Sequence, residues 1–235
     1  MAKGPLYIGT SGFSYDHWAD GVFYPKGLSR KEWLPYYASQ YNSVELNMTF
    51  FKVPEKESFV EWQAQVPPEF RFSVKGYNYI THLKKLTGIS EPLRFFMDRV
   101  SKLKNNLACI LWEIPVLGAS RQKLLEAFLE HLKKYPKVQY AFDLKDPALQ
   151  VSEVRGLLRK NKMTVLESEE NKQETKKADP FPFRYLHLKG NGLKDWARAL
   201  QKSTEDGQSC FAYFTEEALG RSLKDAKNFS EALQK

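Results

Sequence analysis

Glu45 and Asn47 alternate with Val44 and Leu46 in the run Ser43 to Asn47, and strand periodicity puts both on the face opposite the two apolar residues. A carboxylate on the inner face of a sheet needs a partner or a ligand, which makes Glu45 a candidate acid or base. Lys75 closes the apolar run Phe70 to Lys75 and offers such a partner. A Glu45–Lys75 ion pair between neighbouring strands and a ligand role for Glu45 stand as alternatives, and both hold if a ligand displaces the pair. Just beyond, His82 stands with Thr81, Lys84 and Lys85, a group whose donors suit phosphate or carboxylate oxygens. Polar residues close most other apolar runs as well: Ser11, Glu113, Asp143 with Lys145, Glu167, His187 with Lys189, and Tyr213 with Thr215. Tyr15 and His17 lie in a long first loop, Ser11 to Leu28, with Phe13, Trp18, Phe23 and Tyr24. Such aromatics either stack on a base or sugar or plug the interior with no ligand at all.

These residues suit several chemistries. Lys75, His82, Lys84 and Ser11, with Tyr15, His17, Asn47, His187 and Lys189 around them, would hold an anionic, phosphate-bearing small molecule or a nucleic acid, with Glu45 as acid or base. One divalent metal ion on some of Glu45, Glu113, Asp143 and His187 would make a phosphoester hydrolase, although carboxylates on separate strands carry no diagnostic spacing. Four histidines are too few for a multinuclear zinc centre. Glu45 with Glu113 or Asp143 would serve a retaining glycosidase if their carboxyl groups stood about 5 to 5.5 Å apart. A noncatalytic binder of the same ligands is the reading from another class. The chain contains no P-loop, nucleophile elbow, CxxC or HExxH.

The elements that must position these residues follow a strict order. Leu6 to Thr10 reads as a strand, followed by a helix from Ser29 to Gln40 with Ser29 as N-cap. Ser43 to Asn47 pairs with a helix from Pro54 to Gln65, Phe70 to Lys75 with Glu91 to Leu103, and Leu107 to Trp112 with Ser120 to Lys134. Val138 to Phe142 precedes a helix near Leu149 to Lys160, and Met163 to Leu166 forms a sixth strand. Tyr185 to Leu188 precedes Leu193 to Gln201, and Ser209 to Phe214 precedes Glu216 to Leu233. The sixth unit has a polar stretch, Ser168 to Ala178, where a helix would stand, a loop or a frayed helix. Eight strands alternating with helices predict parallel pairing and one single-domain (β/α)8 TIM-type barrel, since closure removes two exposed edges. An open doubly wound sheet is disfavoured because Gly9 to Gly12 is not a dinucleotide-binding glycine pattern. In a barrel, ligands bind where the strands end, where the polar residues above are found.

The 235 residues carry a formal charge of +8, which favours anionic partners. Eight basic residues face two acids between Arg71 and Lys104, either a local basic patch or a solvated helix face. Cys109 and Cys210 each sit in an apolar run and read as buried, reduced thiols of a cytoplasmic protein. No apolar stretch approaches the ~20 residues that cross a bilayer, so no membrane partner is expected.

The segment Tyr7 to Tyr15, YIGTSGFSY, resembles the opening of the YecE-like family, domain of unknown function 72, and His17, Trp18, Phe23, Tyr24 and Pro25 continue it. Val44 to Phe51, VELNMTFF, is similar to the family's V-E-I-N-x-T-F-Y stretch, and Phe70 to Lys75 with Ile80 to Leu86 adds two further blocks. The resemblance implies a TIM-type barrel. It departs in the second half, where Glu113 stands in place of the usual Gln, and Asp143, Lys145, Asp146 and Leu149 replace Glu, Arg, His and Trp.

Overall fold

A computed structural model describes residues 2–169, 181–190, 192–215 and 220–233. Its strands are β1 (Leu6–Thr10), β2 (Ser43–Leu46), β3 (Arg71–Lys75), β4 (Leu107–Ile114), β5 (Gln139–Leu144), β6 (Thr164–Glu167), β7 (Phe183–Leu188) and β8 (Ser209–Phe214). Between them run α1 (Arg30–Gln40), α2 (Met48–Phe51), α3 (Lys56–Ala64), α4 (Ser90–Val100), α5 (Arg121–Leu132), α6 (Ser152–Lys160) and α7 (Leu193–Glu205), and α8 (Arg221–Ala232) closes the chain. The strand order β1-β8-β7-β6-β5-β4-β3-β2, with parallel pairing, is that of a (β/α)8 barrel. The two terminal strands of this order meet at a parallel bridge between Ser11 and Glu45. The polar stretch expected after β6 lies, beyond Glu169, outside the described residues, as does the expected start of the last helix at Glu216.

Two compact units make up the chain: Met1–Glu45 with Gln65–Arg71 and Glu167–Lys235, and Leu46–Ala64 with Phe72–Leu166. In the first, alternate residues of β7 and β8 (Leu186, Leu188, Cys210, Phe214) pack on Trp196 and Leu200 of α7 and Phe229 of α8. In the second, the indole of Trp112 on β4 lies between Phe96 of α4, at 5.4 Å, and Phe128 of α5, at 5.0 Å. Cys109 and Cys210 are both buried and outside any disulfide, and burial pushes the Cys210 thiol up to about 12. At α1, Ser29 and Glu32 form a reciprocal capping box, which satisfies the first free amides of the helix.

Part of the aromatic first loop packs on α1. Trp18 and Tyr24 are fully buried, the Tyr24 ring stacks on Trp33 at 4.5 Å, and its hydroxyl donates to the Phe13 carbonyl at 2.5 Å. Faces spent on each other are not offered to a base. Gly12 opens this loop with φ +92°, and a Cβ there would lie 2.4 Å from the Tyr15 hydroxyl, so both backbone and space require glycine.

Candidate functional site

The polar strand ends gather in two clusters, one in each unit. In the first unit the centre is Glu45, which is fully buried. Its Oε1 accepts from the Ser11 hydroxyl at 2.6 Å, and its Oε2 accepts from the Tyr185 hydroxyl at 2.5 Å and sits 2.8 Å from His187 Nε2. Burial pushes this carboxyl up, but the adjacent His187 charge and the hydrogen bonds from His187, Ser11 and Tyr185 outweigh it and hold the group at about 2. Tyr185 and His187 share one face of β7 by the two-residue period, so the strand delivers both donors together. Ser11 is held in turn: its amide donates to Phe214 O at 3.0 Å and its carbonyl accepts from the Tyr15 hydroxyl at 2.5 Å. In a second buried network the Tyr37 hydroxyl meets that of Thr10 and donates to the Ser43 carbonyl, while the Ser43 hydroxyl meets that of Tyr213.

In the second unit the centre is Glu113. Register sets Lys75 of β3 level with Leu111 of β4, so Glu113, two residues on and on the same face, reaches back to Lys75. Lys75 Nζ lies 2.9 Å from Glu113 Oε2, and His82 Nε2 lies 3.3 Å from Oε1. Burial raises the Glu113 carboxyl, yet the Lys75 hydrogen bond and the charges of Lys75, Lys145 and His82 hold it below the usual carboxylate range. His82 belongs to a single wide turn, Tyr79–Leu83, of π type. Its Nδ1 is 2.8 Å from the hydroxyl of the buried Thr81. Lys75 Nζ also stands 4.5 Å above the Phe50 ring, and Phe50 meets His82 edge to face at 5.3 Å. Directly after this turn, Lys85 (φ 46°) and Leu86 (φ 64°) are both left-handed without being glycine, a strain of order 1–3 kcal/mol each that persists where surrounding structure enforces it.

Of the two alternatives for Glu45, the ion pair with Lys75 gives way to other partners: Glu45 takes Ser11, Tyr185 and His187, and Lys75 takes Glu113. Asp143 pairs with Lys145 at 2.8 Å, level with Glu113 in the β4–β5 register. Lys84 lies 5.6 Å over the Tyr79 ring, and among the described residues neither Lys84 nor Lys85 has a carboxylate partner. Asn47 precedes α2, His17 is exposed in a short 3-10 turn, and Lys189 is exposed just past β7. Glu167, also expected at a strand end of the site, is turned to Arg184 instead, with bonds of 2.9 and 2.6 Å. Sequence reasoning overlooked Tyr185, Thr49, Phe50 and Phe51. For Tyr185 the signal was present, two residues before His187.

The chemistry available follows from these partners. A glycosidase acid is held protonated near neutrality, whereas Glu45 and Glu113 are both held low. No group of three or more His, Cys, Asp or Glu side chains stands together as metal ligands among the described residues. No described helix is long and apolar enough to cross a membrane. In the second unit Lys75 and His82 present donors to the Glu113 carboxylate.

A family model described as "Protein of unknown function DUF72" matches residues 7–235. The UPF0759 protein YecE of Escherichia coli (strain K12) is 26% identical over 143 residues, 60% of this chain and 49% of YecE. The UPF0759 protein YunF of Bacillus subtilis (strain 168) is 30% identical over 116 residues, 47% of this chain and 40% of YunF. The chain thus matches about half, or less, of the length of these curated relatives. A crystal structure of a DUF72 family protein from Thermotoga maritima superposes with a TM-score of 0.79 at 23% identity, covering 98% of this chain and all of that one. Another, from Enterococcus faecalis, gives 0.75 at 17% identity with both chains fully covered. At these identities the likeness is one of fold.

Proposed function

Since the chain belongs to the DUF72 family, whose function is unknown, we propose from its own side chains that it binds a phosphate-bearing anion at Lys75, His82 and Lys84. The observation that carries this reading is the position of Glu113. Its two oxygens lie between Lys75 and His82, in the arrangement that two phosphate oxygens would take. All three side chains are only partly buried, so a ligand can reach them. Glu113 is then an internal anion that an external one displaces, and Lys84 and Lys85, free of carboxylates among the described residues, add attraction at longer range. The Glu45 cluster is a framework in this reading, because its carboxylate already has three donors and is out of reach of solvent.

Calorimetric titration of the protein with inorganic phosphate and with a phosphate monoester tests the proposal. Glu113→Gln is expected to tighten binding by about tenfold, since it leaves Lys75 and His82 without their internal anion. Lys75→Met is expected to weaken it by a similar factor. Affinity falls with added salt, and Lys84→Ala with Lys85→Ala flattens that dependence. Affinities that ignore both Glu113→Gln and Lys75→Met would leave Glu113 as a plain structural ion pair.

A further inference from the structure

Next in the chain to Phe50 and His82, the second unit exposes apolar side chains. Phe51 is 74% exposed and Leu83 70%, with Met48 also exposed on the same short helix as Phe51. Exposed apolar side chains that flank a polar site offer contact area to a ligand held there. Phe51 is also fixed relative to the cations. The buried Thr49 hydroxyl bonds to the Leu46 carbonyl at 2.9 Å and the Lys75 carbonyl at 2.6 Å, which pins α2 to the end of β3. Phe50 then bridges the two halves: its ring meets Phe51 edge to face at 5.0 Å, meets His82 in the same way at 5.3 Å, and carries Lys75 Nζ at 4.5 Å. An aromatic face held rigidly next to a phosphate-type site loses little entropy when a second ring lies on it.

We infer that the anion bound at Lys75 and His82 is a phosphate ester of a flat ring, with the ring stacked on Phe51 and flanked by Leu83. This rests on the phosphate reading above and adds the chemical class of the esterified group. The charge of the cluster selects the phosphate end, and the exposed ring selects the other. Trp18 and Tyr24 of the first loop do not supply this platform, because both are fully buried.

Titration of the full chain with methyl phosphate and phenyl phosphate, which share charge and differ in the ring, tests the inference. The wild type is expected to bind phenyl phosphate about tenfold more tightly than methyl phosphate, within the range of single stacking interactions. Phe51→Ala removes that difference and leaves methyl phosphate binding as it was, whereas Phe51→Trp keeps it. Equal affinities of the wild type for the two esters overturn the inference and leave the phosphate reading intact. Binding of neither ester at millimolar concentration overturns both. A ring preference that survives Phe51→Ala also overturns it, as does a wild-type dimer that Phe51→Ala converts to monomer, which would make the apolar surface an interface between copies.

Discussion

Replacing Glu45 by alanine is expected to cost the folded protein about 3–5 kcal/mol, among the largest effects of any single polar substitution in the chain. The fully buried carboxylate is the common acceptor for Ser11, Tyr185 and His187, so its loss strands three donors at once and opens a void among them. Glu45→Gln keeps the volume and one acceptor oxygen, turns the other position into a donor, and is expected to cost less than alanine. The pH dependence identifies the charge. Glu45 is held at about 2 in the folded protein against an ordinary 4.5, so its stabilisation is fully present above pH ~4.5 and is lost as pH falls towards ~2. At about 1.4 kcal/mol per unit this amounts to roughly 3 kcal/mol. Urea unfolding between pH 7 and pH 2 should show wild type converging on Glu45→Gln at the acid end. Two curves that stay parallel down to pH 2 would mean that the carboxylate's charge contributes nothing.

The order of elements could be read from the chain because two periods alternate in it. Runs such as Cys210 to Phe214, followed by helical spacing to Phe229, announce strand and helix by the side chains they must bury together. The two short elements that shape the candidate site could not be read that way. Helix α2 has four residues and the Tyr79–Leu83 turn has five, too few for any period to show, and the sequence predicts no element between Asn47 and Pro54. Exposure of Phe51 therefore has no signature in the sequence. It goes with the burial of Thr49, whose hydroxyl donates to the Lys75 carbonyl and ties the helix that carries Phe51 to the end of β3.

Side-chain pairing was the second thing the chain concealed. The polar positions at the ends of the strands are local facts, whereas partners depend on which strand lies alongside and at what register. Lys75 finds Glu113 because β3 and β4 are neighbours set so that Lys75 is level with Leu111. Glu45 finds Tyr185 from 140 residues away. Nothing local distinguishes Glu45 from Glu113, both flanked by apolar residues at a strand end, yet one is sealed among three donors and the other is open to displacement.

Arg184 and Glu167 give the sharpest check on this division between framework and site. Arg184 makes two parallel bonds to Glu167, at 2.9 and 2.6 Å, donates to Ser203 Oγ at 3.2 Å, and lies over the Trp196 ring at 5.7 Å. Both members are largely buried, at 17% and 8% exposure. Breaking such a pair on one side leaves an uncompensated charge, so Arg184→Met is expected to cost about 3–5 kcal/mol. Substituting both, Arg184→Met with Glu167→Leu, removes the charge as well as its partner and should recover most of that loss, since apolar residues of similar volume replace buried pairs at little cost. Thermal unfolding of the two single variants and the double variant forms the cycle that measures this coupling. If the pair belongs to the framework alone, phosphate affinity is the same in the double variant as in the wild type. Additive losses in the double variant would show that Arg184 acts mainly through Trp196 and Ser203, and a lost phosphate affinity would place the pair within the binding machinery.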